Sequence, residues 1–123
     1  MIKVYAALNK WQRRTFSYGD ADCCQFTAFI VKELTGKDFA SKFNYSDEQR
    51  AYELVNEQGS LLAFISSILG NPSDFLSDGD PCVIDVPLIG QVCGIKLRDK
   101  VVCLTEKGMI QVPDRYLLAG WSV

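Results

Sequence analysis

The chain contains no histidine. Imidazole is the one side chain whose ordinary pKa lies between about pH 5 and pH 8. Its absence excludes a cysteine–histidine catalytic pair built from the chain's own residues, and any zinc site completed by imidazole. Long apolar runs are missing as well. Leu61-Leu62-Ala63-Phe64-Ile65 is far short of the roughly 20 residues a membrane-spanning helix needs. Met1-Ile2-Lys3-Val4 lacks the apolar segment of a signal peptide, so the expectation is synthesis in a cytoplasm without membrane insertion. Charge of one sign is scarce: 13 basic and 15 acidic residues are mixed along the chain, for a net charge of −2. With no basic stripe, the electrostatic footprint of a nucleic-acid binder is absent. There is no P-loop, dinucleotide fingerprint, internal repeat or low-complexity tract. Gly19-Asp20-Ala21-Asp22 lacks the later glutamate and ligand spacing of a calcium loop. No cofactor and no metal are expected.

What is present suits one folded unit. The 123 residues are 48% apolar and 23% charged, enough to bury a core and too short for two domains, so residues 1–123 read as a single domain. Five cysteines, Cys23, Cys24, Cys82, Cys93 and Cys103, show no CxxC spacing. Their odd number and the missing signal segment point to reduced thiols. Cys82, Cys93 and Cys103 lie inside apolar, β-rich runs and read as small buried hydrophobes.

Helical signals fill the first half. Val4, Ala7, Leu8 and Trp11 form one apolar stripe. Asp20 and Asp22 stand before a second stretch, Cys23 to Leu34, and either can cap its free amides, with Gly36 as the C-terminal cap. Lys37 to Tyr45 reads as irregular. Ser46-Asp47-Glu48-Gln49 has the form of a capping box and opens a third helix ending near Gly59. The charged residues of that helix, Asp47, Glu48, Arg50, Glu53 and Glu57, form a solvated face. Ser60 to Leu69 is a fourth, shorter helix stopped by Gly70, Asn71 and Pro72. After Ser77-Asp78-Gly79-Asp80-Pro81 the pattern changes to strands at 82–86, 91–97, 101–105 and 109–112. Arg98-Asp99-Lys100 and Glu106-Lys107-Gly108 are hairpin connections. A closing strand at 119–123 is expected to turn Trp121 into the core. Helices first and an antiparallel sheet second is an α+β layout.

The segment Asp22-Cys23-Cys24-Gln25-Phe26 carries the chemistry. A cysteine in the first turn of a helix meets free N–H groups and the positive end of the helix dipole, which favour the thiolate. Nearby Asp20 and Asp22 oppose that effect. Tyr18-Gly19, the Asp22-Cys23 step, Phe26 and Gly36 together resemble the NlpC-type papain-like cysteine peptidases, whose motif is Asp-Cys-Ser-Gly-Phe with the cysteine as nucleophile. Compact phage-encoded relatives of that superfamily are closer still. They share an aromatic-Gly-x-x-Asp-Cys-Cys-x-Phe opening, a Gly-Asp turn into a strand and a late tryptophan, corresponding to Phe16–Phe26, Gly79-Asp80 and Trp121.

The resemblance implies a papain-like, NlpC-type fold with N-terminal helices packed on a C-terminal antiparallel sheet. It also implies a histidine opening a strand that reads His-Val-Gly-Ile. Here the stretch is Val92-Cys93-Gly94-Ile95, so Val92 stands at the histidine position and Gln91 precedes it. Gln91 can donate a hydrogen bond but cannot relay a proton near neutral pH. A carboxylate such as Asp20, Asp22 or Asp85 raises a neighbouring thiol's pKa and is a poor replacement base. Cys23 is thus the nucleophile equivalent of a degenerate domain. The expected role is a virion, tail or assembly component contacting other phage structural proteins, made in the host cytoplasm and incorporated into the particle. Two alternatives stand beside it. One is a peptidase or amidase on peptidoglycan stem peptides, with Cys23 as nucleophile and a non-histidine or partner-supplied base. The other is a small phage adaptor or inhibitor of a host protein. Trp11 and Tyr18 are candidates either for a contact surface or for core.

Overall fold

Each helix after the first begins where a short polar side chain takes up amides that the first turn leaves free. In the computed structural model, which describes residues 2–123, α1 spans Ile2–Trp11, α2 Cys23–Thr35, α3 Glu48–Gln58 and α4 Leu61–Leu69. Met1 lies outside the described residues. Asp22 caps α2, accepting the Gln25 N–H at 2.8 Å, and Ser60 caps α4, accepting the Ala63 N–H at 3.0 Å. Gly36 closes α2 in the left-handed conformation (φ 79°), and its N–H reaches the Lys32 carbonyl. The cap of α3 differs from the expected box. Asp47, not Ser46, is the capping residue, with its carboxylate accepting the Arg50 N–H at 2.8 Å. A charged acceptor at the positive end of a helix is worth more than a hydroxyl, so the helix starts one residue later. Asp20, the other candidate for α2, is exposed and pairs with Arg14 at 3.1 Å.

Five strands follow: β1 (Pro81–Val86), β2 (Gly90–Leu97), β3 (Lys100–Thr105), β4 (Gly108–Pro113) and β5 (Leu117–Gly120). They form one antiparallel sheet in the order β4-β3-β2-β1-β5. The layout is α+β, as the sequence pattern indicates. The last strand stops at Gly120, short of the expected 123. Trp121 lies just beyond it, 2% exposed, with its indole N–H bonded to the Gly70 carbonyl at 2.8 Å. That contact ties the end of the chain to the end of α4. No helix among the described residues is long and apolar enough to cross a membrane.

Strand alternation gives the sheet two buried faces. On one face Val83, Cys93, Ile95, Leu97, Val102 and Leu104 pack under α1, α2 and α4. Phe26 and Ile30 of α2 are fully buried there, each contributing about 1.5–3 kcal/mol through burial. Trp11 stands edge-on to Phe26 at 5.8 Å and is itself buried, so it belongs to the core and not to a contact surface. On the other face Cys82, Ile84, Val92, Val101, Cys103 and Val112 pack on one another, backed by Ile110, Tyr116 and Leu117. Those side chains come from the strands and the turn before β5, and Cys23 packs against them from the head of α2. Gly94 leaves no room for a side chain: an added Cβ would run into the Val102 carbonyl and stand 2.7 Å from the Cys103 sulfur.

Candidate functional site

Cys23 is the first residue of α2 and is held there by a polar knot around Asp22. Asp22 is 2% exposed. One carboxylate oxygen takes the Gln25 N–H; the other takes the Gly19 N–H at 2.8 Å and the Tyr45 hydroxyl at 2.7 Å. Gly19 turns the chain with φ 85°, and a side chain there would run into the Tyr45 carbonyl. The Gly-x-x-Asp-Cys spacing therefore has a mechanical basis: glycine makes the turn, aspartate receives its amide and starts the helix, and cysteine is placed at the helix head. Burial pushes the Asp22 carboxyl up, and the three hydrogen bonds pull against that shift. Burial likewise raises the Tyr45 phenol, with nearby negative charge adding to it. Tyr45 is therefore a neutral donor to Asp22.

The strand facing this helix head is β2. Its Cys93 side chain points to the α2 side of the sheet and meets the paired cysteines. The sulfurs of Cys23, Cys24 and Cys93 all lie within 4.8 Å of one another, with Cys93 and Cys24 at 3.5 Å. The Thr27 hydroxyl, one turn along α2, donates to the Cys23 carbonyl at 2.7 Å and lies 3.6 Å from the Cys93 sulfur. All five cysteines are free thiols. Cys24 and Cys93 are buried, while Cys23 is half-buried and touches both core clusters of the sheet. Within the trio Cys23 is the most acidic thiol. Donation from Cys24 and then Cys93 lowers its pKa well below the ordinary thiol value, outweighing burial, and backbone amides of both residues assist. The same interaction, seen from Cys24 and Cys93, holds their thiols protonated.

A cleft of about 460 Å³ opens over this corner. Its floor includes Cys23, Cys24 and Asp22; α3 contributes Ala51, Tyr52 and Val55, and the sheet rim contributes Gln91, Val92 and Leu104. Tyr18 lines it too, bonded to Glu106 at 3.3 Å. Leu88 and Ile89, in the turn between β1 and β2, form an exposed apolar lip, with Leu88 at φ 71°.

The residues singled out in the sequence thus come to one cleft. Val92 is 8% exposed, packed with Ile84 and the inner sheet face. Gln91 is exposed, and its amide oxygen accepts the Leu62 N–H at 3.0 Å, which ties the rim to the start of α4. Of the carboxylates considered as bases, Asp85 and Asp20 are exposed, and both oxygens of Asp22 already accept hydrogen bonds. Cys93 was expected only as a buried hydrophobe. It is buried, at 1% exposure, but it is also the strand's contribution to the thiol cluster. Its position one residue past Val92 puts it on the α2 side of the strand. Nothing in cysteine spacing signals a meeting across 69 residues.

The molecule is an α+β protein with a trio of free thiols, two of which, Cys23 and Cys24, line an open cleft while Cys93 lies behind them. The chain belongs to the family described as "Domain of unknown function (DUF6950)", which matches residues 2–123. A search of curated proteins found no match.

Proposed function

We propose that the chain is a papain-like domain of the NlpC type that binds in its cleft without hydrolysing, and that it serves as a structural or assembly component of a phage particle. The observation that carries the reading is the pairing of Cys23 at the head of α2 with the buried, apolar Val92 on the wall of the same cleft. A cysteine hydrolase needs a base that takes a proton and returns it to the leaving amine. Valine does neither, and the amide oxygen of Gln91 is occupied by α4. Losing such a partner commonly costs several orders of magnitude in turnover. The aromatic and aliphatic walls remain, and they suit retention of an extended peptide or a neighbouring protein segment. The phage setting rests on the resemblance of Phe16–Phe26, Gly79-Asp80 and Trp121 to compact phage-encoded members of that superfamily.

Mass spectrometry of purified particles should find the chain. Stem peptides of peptidoglycan should survive incubation with it, alone or mixed with the other particle proteins. Absence from particles overturns the structural role. Cleavage that Cys23→Ala abolishes overturns the non-hydrolytic reading. One observation favours a second reading, a cysteine hydrolase completed by a partner's base: Cys23 heads α2 and lines an open cleft. That reading predicts cleavage only in the mixture.

A further inference from the structure

We infer that Cys23, Cys24 and Cys93 form a binding site for one thiophilic metal ion of the zinc class, held by three thiolates with its fourth position open to the cleft. Ligand identity comes first. Thiolate sulfur is the preferred donor for zinc and softer ions, and three such sulfurs lie within 4.8 Å of one another. Geometry agrees. Sulfurs bound to a tetrahedral zinc at about 2.3 Å stand about 3.8 Å apart. Cys24 and Cys93 are at 3.5 Å, and no pair exceeds the ideal by more than about 1 Å. Side-chain rotation about Cβ covers such a difference without moving α2 or β2.

The surroundings meet the remaining requirements of a metal site, an outer shell and a way in. Thr27 sits against Cys93 and fixes the first turn of α2 through the Cys23 carbonyl. The knot of Gly19, Asp22 and Tyr45 sets the position of Cys23 and Cys24 from outside. Cys23 and Cys24 both line the cleft, which supplies the approach and room for an exogenous fourth donor. The expectation that no metal could bind rested on missing imidazole and missing CxxC spacing. The fold adds a sulfur donor from the sheet, 69 residues from Cys24. Binding releases the thiol protons and leaves a site with three protein ligands and one open position, the arrangement of catalytic rather than structural zinc centres. The inference goes beyond the proposed function: it gives the thiols a role that needs no base, and it stands or falls independently of whether the domain cleaves peptides.

The reduced, metal-free chain should be titrated with Co²⁺, then with Zn²⁺ in competition. Thiolate-to-cobalt charge-transfer absorption should saturate at one ion per chain, and zinc should displace the cobalt. X-ray absorption of the zinc form should report three sulfur neighbours. Cys23→Ser, at a half-buried position, and Cys93→Ser should each weaken binding by at least about a hundredfold, beyond the loss that outer-shell changes bring. Cys82→Ala and Cys103→Ala should retain the wild-type stoichiometry. Absence of charge-transfer absorption in the folded wild-type chain overturns the inference. So does a zinc environment with fewer than three sulfurs, or equal loss of binding in Cys103→Ala.

Discussion

The two walls of the cleft are built on different principles. The helix wall is polar and discrete: Gly19, Asp22 and Tyr45 hold the head of α2 through three named hydrogen bonds to one carboxylate. The sheet wall is apolar and collective: Val92 and Gly94 take their positions from packing among Ile84, Val101, Cys103 and their neighbours. A hydrogen-bonded wall depends on a few irreplaceable atoms, whereas a packed wall depends on volume. The first is therefore written in a short motif, and the second is spread over four strands. In this protein the helix wall presents Cys23 to the cleft, while the sheet wall presents valine.

Removing the central acceptor should have the largest effect. Asp22→Ala strips the α2 cap and leaves the half-buried Tyr45 hydroxyl without its partner. The expected loss is about 2–4 kcal/mol, read by urea unfolding. On the opposite wall, Gly94→Ala drives a methyl group toward the Cys103 sulfur and should cost about 1–3 kcal/mol in the same measurement. If the two walls are as different as described, Asp22→Asn should recover part of the first loss. Cys103→Ala should recover little of the second, because the Val102 backbone carbonyl still blocks the added methyl group.

A third substitution sharpens the contrast by adding what the sheet wall lacks. Val92→His should add an inflection near the imidazole pKa of about 6.5 to the pH profile of Cys23 alkylation, because a titrating imidazole beside the thiol changes its reactivity. Site-resolved mass spectrometry after iodoacetamide treatment measures it. An unchanged profile would show that position 92 does not face Cys23.

A last contrast is a slope with pH, and it reports on the thiols of the sheet face away from α2. Burial pushes the Cys82 thiol from 9.0 up to about 12, and Cys103 shifts in the same direction for the same reason. Between pH 9.0 and about 12 the unfolded chain has lost the Cys82 proton that the folded chain still holds. The unfolded state then binds fewer protons, so stability falls as pH rises through that window. Unfolding titrations across it should show a steeper decline for the wild type than for Cys82→Ala.

How much of this was legible in the sequence follows the same division. The fold class, four helices, the Gly36 cap, an aspartate cap at position 20 or 22, and the hairpin positions all depend on neighbours within a few residues, and the sequence pattern contains them. The α3 cap was misplaced by one residue because Ser46 and Asp47 compete locally, and the choice rests on which acceptor is charged. The closing strand ends earlier than the pattern indicates because only one further bond continues the ladder past Gly120, the Trp121 N–H to the Pro81 carbonyl at 3.0 Å, while the indole N–H turns away to Gly70. The amide of Gln91 was free in the sequence and is engaged with Leu62 in the fold.

By itself the sequence determined that no imidazole exists anywhere in the protein, and that a cysteine pair heads a capped helix. Composition is absolute, and helix starts are governed by contacts three residues long. Only the tertiary structure decided that Cys93 reaches that pair while Val92, one residue before it, turns to the inner face of the sheet. Strand alternation sends neighbouring side chains to opposite sides. Which side meets α2 is set by how the whole sheet packs.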